Sequence, residues 1–280
     1  MYTLHPRGHA EHTPHVVATP GGTTRTNPWL WLAGGTLLFF LVPLIGTDLL
    51  GLQPDMYYLI YFTIAVAWFA IFVSAFAAEL RDLWRHNVGL SLAVGAVAGA
   101  GLVAMVLSQA GTDHPDGWRF GFEILWRGLI YGSVDALTLF VFPAAVAYLL
   151  MHGNREGAKR KAGFAGLALL LSLLVSTSYH LGYPEYRDAD LRSPLIGTIV
   201  ANVPTALTGN PLGAMVTHPM VHIAASVHQR EGGSTQMLPP KVTTDYPSHG
   251  DSDVAAGLAA LWLLATAGAL MLVVRRRRAA

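Results

Sequence analysis

Residues 88–110 read VGLSLAVGAVAGAGLVAMVLSQA, a run of 23 residues without a single charged side chain. A helix needs about 20 apolar residues to cross the hydrocarbon core of a bilayer. The run also contains Gly95, Gly99 and Gly101, and small residues at this spacing favour close packing between membrane helices. The stretch therefore predicts a membrane-spanning helix.

Similar apolar stretches on both sides of this run extend the prediction to the whole chain, which is 52% hydrophobic and 12% charged. Soluble domains carry roughly 25% charged residues. The net charge is +1 and cysteine is absent, which excludes a basic nucleic-acid-binding protein, a disulfide scaffold and a thiolate metal site. We predict an all-α polytopic membrane protein with eight spans: Trp29–Leu50, Met56–Leu80, Val88–Ala110, Trp118–Met151, Ala162–Tyr183, Pro194–Thr208, Pro211–Val227 and Val254–Val274.

The ends of the chain differ in composition from this single helical membrane domain, which covers residues 29–274. Residues 1–28 form a polar tail in which prolines interrupt any regular element, so we predict disorder there. The tail carries His5, His9, His12 and His15, a pattern that binds transition metals weakly at most. Residues 275–280 begin with four consecutive arginines and form a basic end.

The block from Pro194 to Val227 is either one over-long helix or two short helices broken at Gly209-Asn210-Pro211. The positive-inside rule, by which Lys and Arg are enriched in cytoplasmic loops, favours two helices. With two helices, the outer loops hold four basic residues and the cytoplasmic side holds twelve. The twelve are Arg7, Arg25, Arg81, Arg85, Arg155, Lys159, Arg160, Lys161, Arg275, Arg276, Arg277 and Arg278. We therefore expect eight spans in the cell membrane, with both termini cytoplasmic.

Two of the spans have unusual lengths. Trp118–Met151 amounts to about 50 Å of helix, so it protrudes, tilts strongly or breaks, either near Gly132-Ser133 or at Pro143. Pro194–Thr208 amounts to only about 22 Å, less than the ~30 Å core. Short or interrupted segments are tolerated at membrane depth where they line a wet cavity. We therefore predict an internal polar cavity.

Ionisable side chains inside the spans are the candidates for function, because each is costly to place in a bilayer. Glu123 and Arg127 are four residues apart and share a helix face, as do His218 and His222. The topology places Glu123, His180, His218 and His222 in the same half of the membrane. Asp135 falls deeper along its helix, and we expect it to lie outside this group.

These residues resemble the motifs of the CPBP family, the CAAX-protease and bacteriocin-processing membrane proteins, which include eight-helix glutamate-dependent endopeptidases. The family motifs are Glu-Glu-x-x-x-Arg, Phe-x-x-x-His and His-x-x-x-Asn or Asp. Glu123 and Arg127 match the first motif, His180 the second, and His218 the third. The resemblance covers roughly residues 120–222. It implies hydrolysis of a peptide bond in a peptide or membrane-anchored substrate.

Several positions depart from the family pattern. Phe122 stands where the family has its first Glu, the residue that the resemblance would make the water-activating base. Ser176 replaces the Phe of the second motif, and His222 replaces the Asn or Asp of the third. The first motif is thus degenerate, and the resemblance implies either an active endopeptidase or a catalytically impaired relative.

In an active enzyme, we expect Glu123, with its charge balanced by Arg127, to take a proton from water that His180 orients. His218 and His222 would then stabilise the oxyanion or bind a metal. Zinc ligation by Glu123, His180, His218 and His222 is an open alternative, although the usual His-Glu-x-x-His signature is absent. Two other functions stay open. They are a proton- or metal-handling transporter, which predicts an essential Asp135, and a non-enzymatic subunit of a membrane complex.

Overall fold

The computed structural model describes residues 27–109, 111, 117–187, 191–228 and 261, and within these ranges the secondary structure consists of helices joined by turns. Residues 1–26 of the predicted tail, with its four histidines, lie outside the described residues, whereas Asn27 and Pro28 belong to the start of the first helix. The segment 229–253, the last predicted span apart from Leu261, and the basic end also lie outside the described residues. All helix bounds, contacts and pockets are those of the described part of the chain.

Five helices are long and apolar enough to cross a membrane. Their bounds agree with the first five predicted spans to within five residues, which supports the assignment to the multi-span membrane class. Local capping explains where the first helix starts, because the Asn27 side chain accepts a hydrogen bond from the Trp29 amide (3.0 Å) and Pro28 occupies the first helical position. The five helices are α1 (Pro28–Leu49), α2 (Pro54–Ala75), α3 (Val88–Leu107), α4 (Trp118–Leu150) and α5 (Ala158–Leu181).

Helix α4 is the central element of the fold. In its most apolar 18-residue stretch 83% of the residues are buried, against 28–39% in the other four helices. Of the three alternatives for this long segment, a break near Gly132-Ser133 or at Pro143 is wrong, because the helix continues through both sites. Two stretches instead wind as π-helix, Ile124–Ile130 and Leu137–Val141. Such turns re-aim the side chains that follow them without ending a helix.

The ambiguous block after α5 consists of short helices, so the alternative of one over-long helix is wrong. They are α6 (Arg192–Ala201), α7 (Val203–Thr208) and α8 (Ala214–His228). The chain breaks at the predicted point, where Gly209 adopts φ = +73°, a conformation that favours glycine. Asn210 fixes this break, since its amide donates to the backbone carbonyls of Leu83 (3.0 Å) and His86 (2.6 Å).

Helix α8 packs between α3 and α4, and glycines allow close contact on both sides. On the α3 side, a Cβ atom at Gly95 would overlap the backbone carbonyl of Gly213, and one at Gly99 would lie 2.8 Å from Met220 Sδ. On the α4 side, a Cβ atom at Gly132 would lie 2.7 Å from the Cα of Pro219. This approach of small residues fixes the position of α8, and with it the position of His218 and His222.

Candidate functional site

Asp135 of α4 meets His218 and His222 of α8 inside the protein. The two histidine Nε2 atoms lie 3.0 Å apart, and His218 Nε2 lies 3.8 Å from Asp135 Oδ2. One potential ligand atom from each of the three residues falls within 4.8 Å of the others. The expectation that Asp135 lies outside the group of histidines is therefore wrong.

The error about Asp135 has a simple physical cause. Asp135 is deep relative to Glu123, which lies near the end of the helix, but it stands close to the middle of the 33 residues of α4. His218 lies near the middle of the predicted span Pro211–Val227, so the same prediction gives the two residues a similar depth. The length of α4 is the signal in the sequence that could have placed Asp135 beside His218.

Two tyrosines orient the Asp135 carboxylate. The Tyr61 hydroxyl donates to Asp135 Oδ1 at 2.7 Å, and the Tyr179 hydroxyl donates to the same oxygen at 3.3 Å. Because both hydroxyls engage Oδ1, the second oxygen, Oδ2, is the one directed towards His218. All three residues are buried, with Asp135 only 3% exposed.

The tyrosines extend into a buried hydrogen-bonded chain. Tyr57 and Tyr183 share a hydrogen bond of 2.7 Å, Tyr183 donates to Tyr179 at 2.7 Å, and Tyr179 and Tyr131 are joined at 2.8 Å. Through Tyr179 this chain reaches Asp135. No sequence pattern indicates such a chain, since tyrosines in apolar spans are common interfacial or packing residues.

The rings of His218 and His222 pack against aromatic side chains. Tyr131 meets the His222 ring edge to face, with ring centres 4.8 Å apart, and Phe140 meets the His218 ring at 4.9 Å. Both contacts come from α4, the helix that carries Asp135. Contacts with α4 therefore position both histidine rings beside Asp135.

His180, at the end of α5, faces the same pocket as Asp135, His218 and His222. Its Nδ1 lies 2.7 Å from the carbonyl oxygen of Ser176. A carbonyl only accepts, so Nδ1 carries the proton and Nε2 of the neutral ring is the acceptor. The pocket measures about 70 Å³, which is room for a few water molecules.

Glu123 and Arg127 lie elsewhere on α4 and are not among the described residues that line this pocket. Glu123 is buried, and it precedes Asp135 by 12 residues, which corresponds to roughly 18 Å along a helix. Arg127 forms an ion pair with Asp55 at the start of α2, with Nη2 3.2 Å from Oδ1. This contact ties α4 to α2 and gives Arg127 a structural role.

An apolar groove adjoins the pocket. It measures about 640 Å³, is lined by α3 together with residues of α6 and α7, and shares Leu102 and Met105 with the pocket. Val97 and Leu207 on its walls are 76% and 71% exposed, as expected for side chains that face lipid.

Comparison of the chain with protein-family models, with curated proteins and with solved structures gives no match. The pocket has room for a few water molecules and is lined by one carboxylate and three histidines. Groups of these two kinds accept, donate and relay protons.

Proposed function

We propose that the protein is an intramembrane endopeptidase, the activity that its CPBP-like motifs imply. Asp135, and not Glu123, is the carboxylate of its active site. The observation that carries the proposal is the convergence of Asp135, His218 and His222 within 4.8 Å, with His180 on the same small pocket. Buried titratable groups that share a pocket are the usual mark of acid–base chemistry.

The proposed chemistry assigns one step to each group. Asp135 accepts a proton from a water molecule in the pocket, and the acceptor Nε2 of His180 holds that water in place. The water oxygen then adds to the scissile carbonyl, and the Nε2–H that joins His218 to His222 turns to donate to the developing oxyanion. The C–N bond breaks, the proton moves to the leaving amine, and a carboxylic acid and an amine result.

The finer topology that the charge pattern predicts belongs to the same proposal. The chain crosses the cell membrane eight times around an internal polar cavity, with Val254–Val274 as the eighth span and both termini in the cytoplasm. The support is the distribution of twelve basic residues on one side against four on the other. In this arrangement the substrate is a peptide anchored in the same bilayer, and the apolar groove beside Leu102 and Met105 is its lateral route to the pocket.

The experiment compares new peptide N-termini in cells that express the wild-type chain or a variant. Labelling free N-termini and sequencing them by mass spectrometry detects cleavage of any cellular substrate. We expect Asp135→Asn to abolish the wild-type set of new termini, whereas Glu123→Gln and the control Asp48→Asn, at an exposed ion pair with Arg187, keep it. Loss with Glu123→Gln and retention with Asp135→Asn would reverse the assignment. If cells that express the wild-type chain contained no new peptide N-termini, hydrolysis would be contradicted.

A second function, proton transfer across part of the membrane, is favoured by the tyrosine chain that ends on Asp135. Hydroxyls in such a chain accept one proton while they donate another. Purified protein in liposomes with a pH-sensitive dye inside tests it. Tyr179→Phe interrupts the chain and should slow acidification, whereas Tyr148→Phe, outside the chain, should leave it unchanged.

A further inference from the structure

We infer that Asp135, His218 and His222 form a binding site for one divalent transition-metal ion of the zinc class. The inference rests on the proposed function, because it specifies how the same pocket activates water. It replaces the sequence-derived ligand set, since Asp135 takes the place of Glu123 and His180 lies outside the close group.

The distances between the three ligand atoms suit such an ion. Zinc binds histidine nitrogen and carboxylate oxygen at about 2.0–2.2 Å, so the ligand atoms of a tetrahedral site are roughly 3.4 Å apart. The Nε2 atoms of His218 and His222 are 3.0 Å apart, and His218 Nε2 is 3.8 Å from Asp135 Oδ2. The third pair, His222 and Asp135, lies within 4.8 Å, so a common ion requires these two side chains to move closer together.

The Asp135 carboxylate has the surroundings of a metal ligand. Metal-binding carboxylates are normally held by outer hydrogen bonds, and here Tyr61 and Tyr179 hold Asp135 Oδ1 while Oδ2 faces His218. Three protein ligands leave a fourth position, and the pocket has room for water there. A metal ion would also offset the charge of a carboxylate that is 3% exposed.

The metal would alter the roles within the pocket in a defined way. A bound zinc ion lowers the pKa of its water to about 7, so it supplies the activation that Asp135 would otherwise supply as a base. Asp135 becomes a ligand, and His180 Nε2 remains as the acceptor for the proton of the water molecule. The two histidines would hold the metal, and the metal would supply the stabilisation of the oxyanion.

The test uses the full-length protein in detergent, without a polyhistidine tag and with His5, His9, His12 and His15 replaced by alanine, so that the tail cannot contribute. After washing with a chelator, the protein is titrated with Zn²⁺ and Co²⁺. We expect one equivalent of bound metal, visible-range Co²⁺ absorption of a four-coordinate site, and X-ray absorption from two imidazoles with oxygen ligands.

The variants separate ligands from neighbours. We expect His218→Gln, His222→Gln and Asp135→Asn to weaken Zn²⁺ binding at least 100-fold, and Tyr61→Phe to weaken it 10- to 100-fold through loss of the orienting hydrogen bond. His180→Gln, in the same pocket, should change affinity less than threefold. Thermal unfolding identifies any variant that fails to fold, and in that case Tyr61→Phe provides the decisive comparison.

Each outcome decides the inference separately from the proposed function. The metal site would be overturned if the parent protein bound less than a tenth of an equivalent of metal. It would also be overturned if the ligand variants bound metal as tightly as the parent protein. The two histidines would then be a pair that shares a proton. Cleavage by protein that chelation has freed of metal would contradict the role of the metal in activating water, while hydrolysis stands. Metal bound by the three residues without any cleavage would uphold the site and contradict the hydrolase.

Discussion

Gly132 of α4 lies directly against His222 of α8, so that a Cβ atom at position 132 would stand 3.1 Å from the Cβ of His222 and 2.7 Å from the Cα of Pro219. Asp135 follows Gly132 by three residues on the same helix. The missing side chain at Gly132 is therefore what allows the carboxylate of one helix and the histidines of the other to approach within reach of a common ligand.

Replacing Gly132 by alanine should separate α4 from α8. Overpacking of this kind costs about 1–3 kcal/mol, and we expect a lower unfolding temperature together with loss of the four-coordinate Co²⁺ spectrum. Gly121→Ala is the matched control, because it lies on the same helix and a Cβ atom there would have nothing within 4 Å. Equal behaviour of the two variants would show that the close approach at Gly132 does not position the site.

The other side of α8 provides an independent prediction. A Cβ atom at Gly95 would overlap the carbonyl of Gly213, whereas Gly101 on the same helix has open space. Gly95→Ala should therefore lower the unfolding temperature and the amount of protein in the membrane. Gly101→Ala should be neutral or stabilising by up to about 1 kcal/mol, the gain in helix propensity. A stable Gly95→Ala variant would contradict the packing of α8 against α3.

The sequence predicts the positions of the apolar helices well and the site only in part. Runs of uncharged residues such as 88–110 mark helices by length and composition alone, and the break at Gly209 follows from its neighbours Asn210 and Pro211. Which groups share a pocket depends on helix rotation, and the π-helical turns of α4 change that rotation without a sequence signal. Asp135 and the histidines of the pocket are found from their cost in a membrane, and the length of α4 is the sequence signal that could have grouped them. The tyrosine chain requires the structure.

Arg127 illustrates how a motif residue can serve the fold. Its ion pair with Asp55 is largely buried, with side-chain exposures of 6% and 15%, whereas the pair of Arg187 and Asp48 is 39% and 31% exposed. Arg127→Ala leaves Asp55 without this cation and should cost about 3–5 kcal/mol of stability. Arg187→Ala should cost at most about 1 kcal/mol. Thermal unfolding in one detergent compares them, and equal shifts would contradict a structural role for Arg127.

Tyr186, in the short helix Pro184–Arg187 that follows α5, supplies a prediction about pH. Burial, with a smaller contribution from Glu185, raises the pKa of its hydroxyl well above the usual 10.0. In the unfolded chain the hydroxyl ionises above pH 10, whereas in the folded protein it stays protonated. Its contribution to stability is therefore complete below pH 10 and is lost as the pH rises, by about 1.4 kcal/mol per pH unit.

The phenylalanine variant isolates this contribution, because Tyr186→Phe removes the ionisable group and keeps the ring. Between pH 10 and the folded-state pKa, the free energy of unfolding of the wild-type chain should fall more steeply with pH than that of the variant. The difference in slope corresponds to one proton that the Tyr186 hydroxyl releases on unfolding. Unfolding by denaturant at several pH values in the same detergent measures both slopes. Parallel slopes would mean that the Tyr186 hydroxyl ionises as readily in the folded protein as in the unfolded chain, and its burial would then be incorrect.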